Sequence, residues 1–222
     1  MDVKQLFDVK DQVAIVTGAS SGLGQVFAET LASQGANIAI CARRREKLES
    51  FARKLESKYK ISVLTMVLDV NDETKVKEFM AKIYKKFKHI DILVNNAGTV
   101  AVSPSTEMEK QEWAHVVDTN LISVFIVARE AAKYMIKQKS GKIINISSIY
   151  GQVADIFPLS AYHAAKGGVI NLTRALAVEW AKKGINVNAI SPGYFPSEMT
   201  EDFFSNPKTL IGLACEIPCV YA

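Results

Sequence analysis

What most constrains this chain is an alternation that runs from residue 13 to residue 190. Short apolar runs at 13–17, 37–42, 62–68, 92–94, 142–147 and 185–190 read as strands. Between them, apolar residues recur at helical spacing: Leu23, Phe27 and Leu31; Leu48, Ala52, Leu55 and Tyr59; Val76, Met80, Ile83 and Phe87. Asn71 or Asp72 caps the third of these helices. A long helix then spans about 111–138, and another runs from the region of Tyr162 to about Lys183. Gly35 and Gly184 are helix stops. Strands that alternate with helices are joined by crossovers, so the expectation is an α/β fold: a doubly wound parallel sheet with helices on both faces. Nothing in the 222 residues looks like a linker, and the reading is one domain over 1–222.

The first strand runs directly into Gly18-Ala19-Ser20-Ser21-Gly22-Leu23-Gly24 and then a helix. Strand, glycine turn and helix in that order suit a dinucleotide, because backbone approaches a pyrophosphate closely while the helix N-terminus offers free N–H groups. A tight strand-to-helix turn without a ligand is the other reading. At the end of the second strand, where an acidic residue would bind a ribose 2′-hydroxyl, stand Ala42, Arg43, Arg44 and Arg45. Guanidinium groups suit a 2′-phosphate, which favours NADP(H) over NAD(H). Alternatively, Arg44 and Arg45 only open the next surface helix.

Tyr162 and Lys166 stand four residues apart, on one face of a helix. A phenol ordinarily holds its proton to pH about 10. An ammonium beneath it would favour phenolate and bring proton exchange toward neutrality. Ser148, just after the fifth strand, is placed to bind the same substrate oxygen. A surface pair with no chemistry is the bland alternative.

The net charge of +4 is spread over amphipathic helices and reads as a solvated face, with no nucleic-acid partner. No run of about 18 apolar residues suggests a membrane span, and no signal-like segment opens the chain, so a cytoplasmic protein is expected. Cys41, Cys215 and Cys219 form no disulfide framework or metal site. The segment 121–128 is apolar nearly all round, which suggests burial by the sheet on one side and by another subunit on the other, as in a homodimer or homotetramer.

Together, Thr17-Gly18-x-x-x-Gly22-x-Gly24, Asp69, Asn95-Asn96-Ala97-Gly98, Asn120, Ser148, Tyr162-x-x-x-Lys166 and Pro192-Gly193 resemble the short-chain dehydrogenase/reductase family over residues 11–200. Within that family, residues 185–194 are similar to 3-oxoacyl-carrier-protein reductases and gluconate 5-dehydrogenases. The resemblance implies a Rossmann-like fold and reversible hydride transfer, without metal, between a nicotinamide cofactor and a small carbonyl or secondary alcohol substrate. It implies Tyr162 as acid/base, Ser148 on the substrate oxygen with Ser147 as fallback, and Lys166 on the nicotinamide ribose, lowering the phenol's pKa. Asn120 would hold a water in the proton relay.

Gly18, Ser20, Ser21, Gly22, Leu23 and Gly24 would cradle the cofactor, with Arg43 and Arg44 at its adenosine end. Asp69 and Val70 would contact adenine, Asn95 would steady the sheet, and Asn96, Ala97, Gly98, Pro192 and Gly193 would complete the site. Ser197 takes the place of a threonine near the nicotinamide. The family continues with a seventh strand, which residues 205–222 do not resemble, so that strand is expected to be missing or replaced. A dinucleotide-binding protein impaired by this end is the alternative to an active enzyme.

Overall fold

The computed structural model describes residues 7–154, 156–195, 197, 198 and 200. Six strands form one parallel sheet: β1 Val13–Thr17, β2 Asn37–Ala42, β3 Val63–Val67, β4 Ile92–Asn95, β5 Gly141–Ile146 and β6 Ile185–Ile190. Their spatial order is β3-β2-β1-β4-β5-β6. The chain winds outward from β1 to β3, then crosses back to lay β4 on the other side of β1, pairing Val16 with both Ile40 and Val94. That reversal opens a crevice beyond the C-terminal ends of β1 and β4, where open α/β sheets bind ligands.

Helices α1 (Gly22–Ser33) and α2 (Arg45–Tyr59) cover one face of the sheet. On the other face lie α3 (Glu73–Phe87), α5 (Ser123–Gln138) and α6 (Ser160–Trp180). Strand side chains alternate between the two layers. Val13 and Ile15 join the core of Phe79, Ile83, Met135 and Trp180. Ala14 and Val16 join Ala28, Leu48 and Leu55 on the opposite side. Strands buried on both faces explain why they read as continuous apolar runs. Asp72 is the cap of α3, accepting the Lys75 amide at 3.0 Å. Among the described residues no helix is long and apolar enough to cross a membrane.

The expected single helix over 111–138 is interrupted. Helix α4 (Lys110–Val117) passes through a π-helical turn, Asp118–Ile122, before α5 begins. The Ser123 amide reaches back five residues to the Asp118 carbonyl. One extra residue in a turn leaves the apolar pattern almost unchanged, so periodicity does not disclose it. Within 121–128, Ser123, Val124, Val127 and Ala128 face the core, while Ile122 and Phe125 remain 46% and 38% exposed. The unusual segment 205–222 lies outside the described residues.

Candidate active site

The crevice at the strand ends holds a cavity of about 380 Å³, within the ordinary range for small-molecule sites. Its floor is built where β1 meets β4. Gly18 has φ +68°, and a Cβ there would stand 2.8 Å from the Ala97 Cα, so the turn needs glycine to lie against the end of β4. The Thr17 hydroxyl accepts the amides of Asn96 and Ala97, each at 3.0 Å, and Asn96 Nδ2 returns a bond to the Thr17 carbonyl. The Ser21 side chain makes no capping bond to the first turn of α1. The amides of that turn are therefore left for an anion at the cavity wall.

Gly24 stands behind the cavity wall and does not line it. A Cβ there would meet the Gly18 carbonyl oxygen at 2.5 Å and Asn96 Nδ2 at 2.6 Å. Its work is to let α1 pack onto the turn, while Gly18, Ser20, Ser21, Gly22 and Leu23 form the wall itself.

At the end of β2 the three arginines separate. Arg45 pairs with Glu49 on its own helix. Arg44 donates to the hydroxyls of Ser20 (3.0 Å) and Ser21 (2.6 Å) and pairs with Glu198 at 2.6 Å. Arg43 lines the cavity and makes no hydrogen bond or ion pair among the described residues. Glu198, which also pairs with Lys47 at 2.5 Å, comes from the loop after β6. Nothing local in the sequence links it to residues some 150 positions earlier. Asp69 and Val70 line the same end, with Asp69 Oδ1 accepting the Asn71 amide at 2.9 Å. Cys41 also lies there, its thiol pushed up to about 12 by burial and so held as an unreactive thiol.

At the other end, Ser148 and Tyr162 line the same cavity, and the Ser148 hydroxyl lies near enough to the phenol to lower its pKa. Ser147 is committed elsewhere: its hydroxyl donates to the Lys166 carbonyl at 2.8 Å. The Ser148 oxygen accepts the Tyr150 amide at 3.2 Å, and its hydroxyl proton is not donated to any described residue. Lys166 is 3% exposed, and its Nζ donates to the Ile146 carbonyl at 2.8 Å, 5.5 Å from the centre of the Tyr162 ring. Burial lowers its pKa to about 8. For Tyr162, burial raises the phenol above its ordinary value, and the nearby Ser148 hydroxyl offsets only part of that. The expectation that the neighbouring cation makes the phenol acidic is thus reversed here. Both groups are desolvated, and desolvation favours neutral phenol and neutral amine alike.

Asn120 sits in the π-helical turn, fully buried. Its Nδ2 donates to the carbonyls of Thr99 (2.7 Å) and Val116 (2.8 Å), and its Oδ1 accepts the Thr99 amide at 3.3 Å. It clamps the loop after β4 beside Lys166, and both residues line the cavity. Asn95 donates to the Val124 carbonyl and to Asn145 Oδ1, and Asn145 in turn donates to the Thr173 hydroxyl. This buried chain ties the two strands to α5 and α6. Asn145 was missed by sequence reading, although an asparagine inside an apolar strand was a usable signal.

Tyr150 and Tyr194, from the loops after β5 and β6, bring their hydroxyls into contact, a pairing that the sequence does not announce. The Tyr150 ring stands edge-on to Tyr162 at 6.4 Å and packs on His163 at 4.7 Å. Asn96, Ala97, Gly98, Pro192, Gly193 and Ser197 complete the lining. The Ser197 hydroxyl bonds that of Thr200 at 3.0 Å.

The short chain dehydrogenase family model matches residues 12–208, and the chain belongs to that family. It is an enzyme, an oxidoreductase of a class that works with a nicotinamide cofactor. Gluconate 5-dehydrogenase of Gluconobacter oxydans is 37% identical over 201 residues, covering 90% of this chain and 78% of that enzyme. A 3-oxoacyl-[acyl-carrier-protein] reductase of Staphylococcus aureus is 40% identical over 190 residues, 85% of this chain and 76% of that one. Among solved structures, a gluconate 5-dehydrogenase from Burkholderia cenocepacia in complex with NADP and tartrate superimposes with a TM-score of 0.86. It is 33% identical and aligns with 91% of this chain and 79% of its own.

Proposed function

We propose that this chain interconverts a ketone and a secondary alcohol with NADP(H) in preference to NAD(H), using Tyr162 as the proton donor and acceptor. The observation that carries this reading is the grouping of Ser148, Tyr162 and Lys166 in one cavity with the Gly18 turn. The residues fit a dinucleotide phosphate: the first turn of α1 keeps its amides free of side-chain caps, and Arg43 has no partner among the described residues. The NADP bound in the Burkholderia cenocepacia relative supports the same choice. Bound in this cavity, the cofactor would supply a hydride to the carbonyl carbon, or take one from the alcohol carbon in the reverse direction.

The chain itself handles the proton. Ser148 and Tyr162 each offer a hydroxyl to the substrate oxygen. Tyr162 gives its proton to that oxygen as the carbonyl carbon is reduced, and the phenolate left behind regains a proton from solvent. A phenol held above its ordinary pKa by burial is fully protonated at neutral pH, the form that reduction requires. Lys166, when charged, stabilises the transient phenolate, and Asn120 holds the loop and turn around it. Tyr162→Phe keeps the ring and removes the proton. We expect kcat to fall by about 10²–10⁴-fold with NADPH affinity unchanged; retained turnover would refute the assignment.

A further inference from the structure

Three loops leave the C-terminal ends of β4, β5 and β6, the edge of the sheet that also carries the cavity with Ser148 and Tyr162. Backbone bonds join them into one rim: Ser103 N–H donates to the Pro158 carbonyl at 3.1 Å and Ile149 N–H to the Pro192 carbonyl at 3.0 Å. Each loop places one large apolar side chain in the open, Val102 at 60%, Ile156 at 77% and Phe195 at 50% exposure. Phe195 lines the same cavity as Ser148 and Tyr162.

The stretches that carry this rim, residues 94–109, 143–165 and 191–200, contain no lysine or arginine; all 27 of the chain's basic side chains lie elsewhere. They do contain Glu107, Glu109, Asp155 and Glu198. The basic groups on the cavity wall are Arg43 and Arg44, at the β2 end, and Lys166, whose ammonium is held by the Ile146 carbonyl. A carboxylate on the part of the substrate turned toward this rim, away from Lys166, would therefore lose its water against hydrocarbon and meet no countercharge among the described residues, which is strongly unfavourable. A hydrocarbon flank would be stabilised there by about 25 cal/mol for each Å² removed from water.

Resting on the carbonyl chemistry proposed above, we infer that the substrate is an uncharged ketone or secondary alcohol with alkyl or cyclic hydrocarbon flanks, and not a sugar acid.

The test compares matched ketones on the full chain with NADPH: ethyl acetoacetate against acetoacetate, and 2-octanone against 5-keto-gluconate. The neutral member of each pair should be favoured in kcat/KM by about 100-fold. Preference for either acid overturns the inference, and it does so even if the cation responsible is Lys208, outside the described residues; Lys208→Ala would then abolish that preference. Failure to reduce any neutral ketone also overturns it. Calorimetric titration with NADPH separates the two levels. Binding with turnover of acids alone removes only the substrate class, whereas absence of both binding and turnover removes the proposed function as well.

Discussion

Lys166→Met tests whether the cation at the centre of the site is as desolvated as its position implies. A lysine that titrates near 10.5 in the unfolded chain is lowered to about 8 in the fold by burial alone. At pH 7 both states carry the proton, and keeping it in the buried site costs the fold about 3 kcal/mol. Between pH 8 and pH 10.5 the unfolded chain holds more protons than the folded one, so stability rises with pH in that window and the cost disappears. From pH 7 to pH 9.5 the wild type should gain about 2 kcal/mol relative to the methionine variant. Met fills a similar space and does not titrate. Loss of the bond to the Ile146 carbonyl affects both pH values similarly and largely cancels in the difference. Urea unfolding at the two pH values reads the effect: at a slope of about 2 kcal/mol/M, the relative midpoint should move by about 1 M. Parallel pH–stability curves for the two proteins would refute the reasoning, because they would mean that Lys166 stays solvated in the fold.

Arg43→Ala should weaken NADPH binding by about 10–150-fold, the worth of a charge-assisted contact to a phosphate, and leave NADH binding unchanged. Because Arg43 has no partner among the described residues, its loss should not move the thermal midpoint; an unaltered NADPH/NADH preference in calorimetric titration would refute its role. Gly24→Ala should destabilise the fold by about 1–3 kcal/mol, since the new methyl would lie 2.5 Å from the Gly18 carbonyl oxygen. The urea midpoint measures this, and an unchanged value would show that α1 does not approach the turn so closely.

The sheet was legible in the sequence because its strands are buried on both faces, and β1, β2 and β6 appear with their expected bounds. The site residues were legible because most stand at strand ends or one helical turn apart, where chain order alone places them together. What stayed hidden depends on distant contacts. Glu198 reaches Arg44 across the molecule, and no local pattern announces it. The phenol's pKa was misjudged from the Tyr162–Lys166 spacing, because spacing gives the charge pair but not the burial that outweighs it. Gly24 belongs to the same glycine pattern as Gly18, yet only the packing of α1 shows that it serves the scaffold rather than the wall. Tyr150 and Tyr194 come from separate loops whose pairing is set by the order of β5 and β6.

The π-helical turn at Asp118–Ile122 imposes a rule about length. Removing one residue there would let α4 and α5 close into a continuous α-helix, with its hydrogen bonds restored and its apolar stripe still facing the sheet. Some of that gain would be lost again, because the bonds of the buried Asn120 to Thr99 and Val116 would be broken. Asn120 would turn away from Thr99, and the loop beside Lys166 would lose its clamp. A one-residue gap in this segment would therefore release the loop beside Lys166 even where every neighbouring residue is kept. It marks the place where counting residues says more about the health of the site than comparing them.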